Sequence, residues 1–376
     1  VETPTLTRKE TQKETLVIKI GSSIITTPEG LNEAVINRLA HDISELRDIG
    51  HQAVIVSSGA VAAGRGKLGI EGPIKEINIK QAAAAAGQSS LVWAYERAFG
   101  TYNKKVAQVL LTRDVFSDRR RYLNARNTLR TLLDFNIIPI INENDTVSVD
   151  ELKFGDNDRL AALVASLLNT DRLVILSDVD GLYDADPCNN KAAKIISLVK
   201  KITPEHEKVA CGSSSTCGTG GMSSKLMAAK IATADGITVN IVNGKSEGAL
   251  TKIFDGSTAG TRFEPAAKKH GARKGWIAFG IRSKGRLTLD DGAAKAILSG
   301  GKSLLPSGIK SISGDFDRGD AVYCIAPGGR QIAKGLVNYG SAELQKIIGL
   351  KTAQIEGVLG YKYSDEVIHR DNMTIL

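Results

Sequence analysis

The chain has 376 residues, of which 42% are apolar and 24% charged, with a formal net charge of +8 and four cysteines. This is ordinary globular composition at a length that suggests two domains, and it excludes a membrane span or a disulfide scaffold. No charged-then-apolar leader is read at the start, and so few cysteines suit a reducing cytoplasm.

Residues 1–14 (VETPTLTRKETQKE) lack apolar periodicity and read as a flexible arm. Short β-rich runs then alternate with helical patterns. The runs 15–20, 53–57, 106–111, 137–141, 172–176 and 237–242 read as strands, most of them buried on both faces. Leu31, Val35, Leu39, Ile43, Leu46 and Ile49 recur at helical spacing, with Gly50 as the stop. Helix-favouring composition returns at 80–98, 123–135 and 158–168. Alternation of this kind predicts a largely parallel α/β sheet with helices on both faces over 15–261.

The apolar pattern lapses at 262–275 (RFEPAAKKHGARKG), which is read as a linker. Beyond it, at 276–376, come RLTLD, SLLPSGI, SISGDF, AVYCIAP and QIAKGLV, the pattern of a small β-rich barrel. Residues 266–376 hold 17 Lys and Arg against 10 Asp and Glu, so +7 of the +8 lies there. That asymmetry raises nucleic acid as a partner of the C-terminal part alone.

The polar motifs fall at one kind of position. GSS (21–23), SSGA (57–60), NENDT (142–146) and SDVDG (177–181) each follow a strand. In a parallel sheet such loops share the carboxyl edge, where open α/β sheets bind ligands. Lys19 is the one charge inside TLVIKI, and a buried lysine needs a polar partner, so it is expected to reach a cleft at the strand's end. GTGGMSSK (218–225) has the glycines, hydroxyls and lysine of a phosphate loop. It matches neither the P-loop nor the dinucleotide fingerprint, since Ser224 precedes Lys225 and Ser223 stands where a third glycine would be needed. It leads into a helix ending at Gly236, so phosphates at that helix start would meet free N–H groups. Two lysines with a glycine loop suit phosphoryl transfer. A carboxylate acceptor needs no general base, because its pKa of roughly 4 leaves it ionised. No metal-ligand spacing is read, and Cys211 and Cys217 beside the loop are taken as free thiols.

The set VIKIGSS, IVSSGAVAAG, INENDTV, GDND, SDVDGLY and GTGGMSSK resembles the amino-acid kinase family, and within it the members that phosphorylate L-glutamate at the head of proline synthesis. The resemblance runs from about Leu16 to Asn372, and the C-terminal stretch is similar to a PUA domain, a small β-barrel that binds RNA elsewhere. It implies that Lys19 and Lys225 stabilise the phosphoryl group in transit, with Asp158 holding both ammoniums. Ser58, Asp145 and Asn157 would bind glutamate. Lys19, Ser177 and Asp178, with Thr219, Gly220, Gly221, Met222, Ser223, Ser224 and Lys225, would hold ATP, and Mg2+ would ride on its phosphates. The family further implies a homo-oligomer, dimer or tetramer, feedback by proline, and weak RNA binding by the C-terminal domain. The alternatives are a sister kinase for another carboxylate, carbamate or a nucleotide, an RNA-binding protein acting through its basic tail, and, least supported, a dinucleotide-dependent oxidoreductase.

Overall fold

The computed structural model describes residues 13–27, 30–72, 74–147, 157–187, 189–211, 221–255, 260–266 and 272–376. They fall into two compact units: residues 1–115 with 123–268, and residues 116–122 with 269–376.

The first unit is built on β1 (Thr15–Ile20), β2 (Gln52–Ser57), β3 (Val106–Leu111), β4 (Ile138–Glu143), β5 (Arg172–Ser177), β6 (Leu198–Val199), β7 (Thr238–Asn243) and β8 (Thr261–Phe263). Their order across the sheet is β3-β4-β2-β1-β5-β7-β8-β6. From β3 to β7 every pairing is parallel, and only β8 runs antiparallel to β7. The expected largely parallel sheet is therefore present. Two short strands of this sheet went unread, and one of them, β8, includes the first two residues of the expected linker.

Of the helices α1 (Glu33–Asp48), α2 (Ala60–Lys67), α3 (Ile77–Gly100), α4 (Arg119–Asp134), α5 (Asn157–Leu168) and α6 (Met222–Ala234), α2 went unread and the others lie within a few residues of the expected bounds. Gly50 and Gly236 follow α1 and α6 with φ of 99° and 82°, as helix stops do. Central strands are buried on both faces, whereas β3 at the sheet edge is half exposed. Leu16, Ile18 and Ile20 of β1 pack with Ile36 and Leu39 of α1 and Leu91 and Tyr95 of α3 in one apolar cluster. Side chains alternate across a strand, so Lys19 leaves on the opposite face, where α5 lies against β1.

Of the expected N-terminal arm, residues 1–12 lie outside the described residues. Glu14 is anchored: both its carboxylate oxygens accept from Arg172, at 2.7 and 2.8 Å, and its carbonyl accepts from Gln52 N. Among the described residues, no helix is long and apolar enough to cross a membrane.

The second unit carries β9 (Ser283–Leu289), β10 (Ile309–Gly314), β11 (Ala321–Ile325), β12 (Gln331–Leu336) and β13 (Met373–Ile375), ordered β10-β9-β11-β12-β13. Its own core includes Leu287, Phe316, Val322, Tyr339 and Ile368. SLLPSGI is mostly not strand: Leu304 makes an isolated bridge, and a Pro306–Gly308 turn of 3-10 helix follows. Residues 116–122 join this unit, where Trp276 Nε1 donates to the Phe116 carbonyl at 2.5 Å.

Candidate active site

All four polar motifs sit at the carboxyl edge of the parallel strands. Three of them begin on the strands themselves: Asn142 and Glu143 end β4, Ser57 ends β2 and Ser177 ends β5, all four buried. At Gly59 the chain turns out of β2 into α2 with φ of 104°. A side chain there would be strained, and its Cβ would lie 3.2 Å from Ile25. That turn leaves Ser58 at the mouth of a cleft.

The charged centre is Asp158, in the first turn of α5 and fully buried. Lys19 Nζ stands 2.5 Å from its Oδ1, and Lys225 Nζ stands 3.5 Å from its Oδ2. Ser224 Oγ donates to Oδ2 at 2.9 Å. Both lysines are about 5% exposed, which decides their character: at such burial they need the carboxylate, and it needs them. Lys225 and Ser224 come from the first turn of α6, where the dipole and free N–H groups also favour an anion.

Beside this centre lies a second polar cluster. Asn157 Nδ2 donates to Ser58 Oγ (2.8 Å), Asn142 Oδ1 (3.0 Å) and the Ser57 carbonyl (3.2 Å). Asn142 in turn donates to Gln88 Oε1 at 3.0 Å. A cleft of about 480 Å³ is lined by Ser58, Asn142, Glu143, Asp145 and Asn157, together with Arg65 and Lys80. Ser57 Oγ lies 2.9 Å from the Tyr95 hydroxyl beneath it, and complete burial pushes that phenol's pKa up, so Tyr95 stays neutral.

The nucleotide candidates are placed less completely. Ser177 is buried at the end of β5 and donates to Asp178 Oδ1 at 3.2 Å, while Asp178 itself is exposed. Gly221 and Met222 open α6, and Ser223 follows in its first turn. Met222 also lines a cleft of about 190 Å³ with Leu182, Tyr183, Pro187 and Ala210. Thr219 and Gly220 lie outside the described residues, as do Cys217 and the side chain of Cys211.

The structure thus joins Lys19, Asp158 and Lys225, and separately Ser58, Asn157 and Asp145 around one cleft. Sequence reasoning missed Asn142, Gln88, Arg65 and Lys80. It assigned Ser224 to the nucleotide without its bond to Asp158. NENDT carried a signal for Asn142, but nothing local marks the other three.

The profile of the amino acid kinase family matches residues 14–243, and that of the PUA domain matches residues 285–359. The glutamate 5-kinase of Geobacter metallireducens is 55% identical over 362 residues, covering 96% of this chain and 97% of that protein. The glutamate 5-kinase of Syntrophotalea carbinolica is 51% identical over 364 residues, covering 97% of this chain and 98% of that protein. Among solved structures, carbamate kinase from Giardia lamblia bound to AMP-PNP aligns with a TM-score of 0.50 at 18% identity, over 68% of this chain and 99% of that one, a likeness of fold. By both its profile match and its full-length relatives, this chain belongs to the amino acid kinase family and, within it, to the glutamate 5-kinases.

Proposed function

We propose that the chain transfers the terminal phosphoryl group of ATP to the side-chain carboxylate of L-glutamate, forming L-glutamyl 5-phosphate, the first step of proline biosynthesis. The observation that carries this reading is the buried pair of ammoniums on Asp158, one residue along α5 from the amide that lines the acceptor cleft. A carboxylate oxygen attacks the γ-phosphorus while the bond to the β-phosphate oxygen breaks and ADP leaves. Charge builds on the phosphoryl oxygens in transit, and Lys19 and Lys225 are the cations that meet it. Asp158 keeps both ammoniums aimed.

Asn157 has two amide hydrogens for three acceptors, so an incoming carboxylate oxygen can take over one bond. Ser58 supplies a second donor, and Asp145 pairs with the α-ammonium. ATP enters as its magnesium complex, so the metal arrives with the substrate. Ser177, Asp178 and residues 219–225 hold the nucleotide, with its base in the cleft between Tyr183 and Met222. A homo-oligomeric state, proline feedback and a cytoplasmic location belong to the same proposal through the family.

The test is ATP, magnesium and L-glutamate with hydroxylamine. Glutamate should yield the acyl hydroxamate with matching ADP, and aspartate, one methylene shorter, should yield far less. Equal rates with both acids, or no ADP release with either, would overturn the assignment.

A further inference from the structure

The acceptor cleft carries two cations that the reading above leaves without a task. Arg65, in the last turn of α2, and Lys80, in the first turn of α3, both line it. Their convergence follows from how the two helices cross. A Cβ on Gly64 would lie 1.8 Å from the Ala83 carbonyl oxygen, and one on Gly87 would lie 1.9 Å from that of Ala60. Only glycine permits such backbone contact. Arg65 follows Gly64 directly, and Lys80 precedes Ala83 by one helical turn on the same face. The crossing therefore brings a guanidinium and an ammonium to one cleft.

A basic residue in the last turn of a helix has a simpler role, which is to complement the dipole. Lys67, in the same turn of α2, is free to serve it: it bonds Ser89 at 3.3 Å and does not line the cleft. Arg65 and Lys80 instead share the cleft with Glu143 and Asp145. Two cations and two carboxylates around one cavity match a ligand that carries both signs close together, as the α-carbon of an amino acid does.

We propose that Arg65 and Lys80 bind the α-carboxylate of the acceptor, so that they select an α-amino acid over an ω-carboxylate that lacks that group. This rests on the glutamate kinase reading. The substrate is then held at three points: its α-carboxylate on Arg65 and Lys80, its α-ammonium on Asp145, and its side-chain carboxylate on Ser58 and Asn157. A planar guanidinium suits the first of these, because it can pair with both carboxylate oxygens at once.

The discriminating probe is 4-aminobutanoate, which is glutamate without its α-carboxylate. Arg65→Ala and Lys80→Ala should each lower kcat/KM for glutamate by about 10- to 100-fold, the scale of a lost charged hydrogen bond. They should leave 4-aminobutanoate and the KM for ATP unchanged, so the preference between the two acceptors shrinks by the same factor. Arg65→Lys should restore part of it. Where 4-aminobutanoate turns over too slowly, its inhibition constant against glutamate gives the same comparison. Proportional losses with both acceptors would overturn the proposal and leave the two cations as supports of the helix crossing. A parent chain that makes no hydroxamate from glutamate would instead defeat the underlying kinase reading. Calorimetric binding of glutamate and 4-aminobutanoate to parent and variants would then still decide whether these cations hold an α-carboxylate.

Discussion

Asn157 and Asp158 are consecutive residues at the start of α5, yet they bond to different halves of the site. Asn157 reaches Ser58 and Asn142 in the proposed acceptor cleft, whereas Asp158 holds Lys19, Lys225 and Ser224. One backbone step thus couples the position of the acceptor to that of the cations. Any shift of this helix start moves both together, so a substitution of either residue should lower turnover as well as any affinity it changes.

Lys225→Met and Lys19→Met keep side-chain length and remove the charge. Each should lower turnover by about 10²- to 10³-fold, the usual loss for one such electrostatic contact. They should differ in stability. Lys19 makes the shorter contact with fully buried Asp158, and breaking a buried pair costs about 3–5 kcal/mol. Thermal melting should therefore drop further for Lys19→Met. A Lys225→Met enzyme that keeps half its turnover would remove that lysine from the chemistry.

Asp145→Ala should raise the KM for glutamate well above its effect on the KM for ATP, since the acceptor's ammonium loses its counter-ion. Asp145 lines the acceptor cleft and not the one beside Met222. Initial-rate measurements with each substrate varied in turn check this. A defect confined to ATP would place Asp145 on the wrong side.

Much of this was legible in the sequence because it is local. Five of the six expected strands are apolar runs buried on both faces, and their polar ends necessarily fall on one edge of a parallel sheet. What escaped is either short or distant. Leu198–Val199 and Thr261–Phe263 are too brief for any period to register. Asn142 and Glu143 are poor strand formers that extend β4, where the Asn142 side chain donates to Gln88 and accepts from the Glu143 backbone N–H. Arg65 and Lys80 look like ordinary helix surface until Gly64 and Gly87 are known to touch opposing backbone. The association of Phe116 with Trp276 spans 160 residues and leaves no local mark. Cys324 drew no reading from the sequence; it is a free thiol in the core, and burial pushes it up to about 12, which makes it inert.

Gly87→Ala tests the helix crossing itself. The added methyl would lie 1.9 Å from the Ala60 carbonyl oxygen and 2.3 Å from Gly64 N, so α2 must move away from α3. Overpacking of this kind typically costs about 1–3 kcal/mol. Because α2 carries Arg65 and lines the cleft, glutamate affinity should weaken along with the melting temperature. A variant with unchanged melting and unchanged KM would show that the crossing tolerates separation.

Asp235 caps the C-terminal end of α6, where burial pushes its carboxyl up to about 6 and the Ser166 hydroxyl partly opposes the shift. The negative end of the helix dipole disfavours an anion there as well. The folded state therefore prefers the protonated acid. Its contribution to stability is fully present below about 3.8 and is lost as pH rises through about 6. That interval corresponds to at most roughly 3 kcal/mol at neutral pH. Asp235→Asn should melt higher than the parent at pH 7.5, with the difference shrinking toward pH 4. Equal melting at both pH values would show that the carboxylate is solvated when ionised.

Truncation tests the division of labour between the two units. Every residue assigned to chemistry lies in the first, and a chain ending near Ala267 keeps the whole eight-stranded sheet. Such a chain should retain most of its glutamate kinase activity. It should not be as stable as the parent, because the cut removes Trp276 and with it the partner of Phe116 and Tyr122. Those two side chains are now only 1% and 4% exposed, and uncovering them would leave an apolar patch prone to association. Replacing both with polar residues should restore solubility to the truncated chain without changing its turnover. The detached C-terminal part, with most of the net positive charge, should bind RNA weakly and lose it as salt rises. Binding that survives high salt and prefers one sequence would make RNA recognition a function of its own. Loss of all kinase activity in a soluble, folded truncation would show that the second unit helps build the active site, since nothing in the first would then be missing except its support.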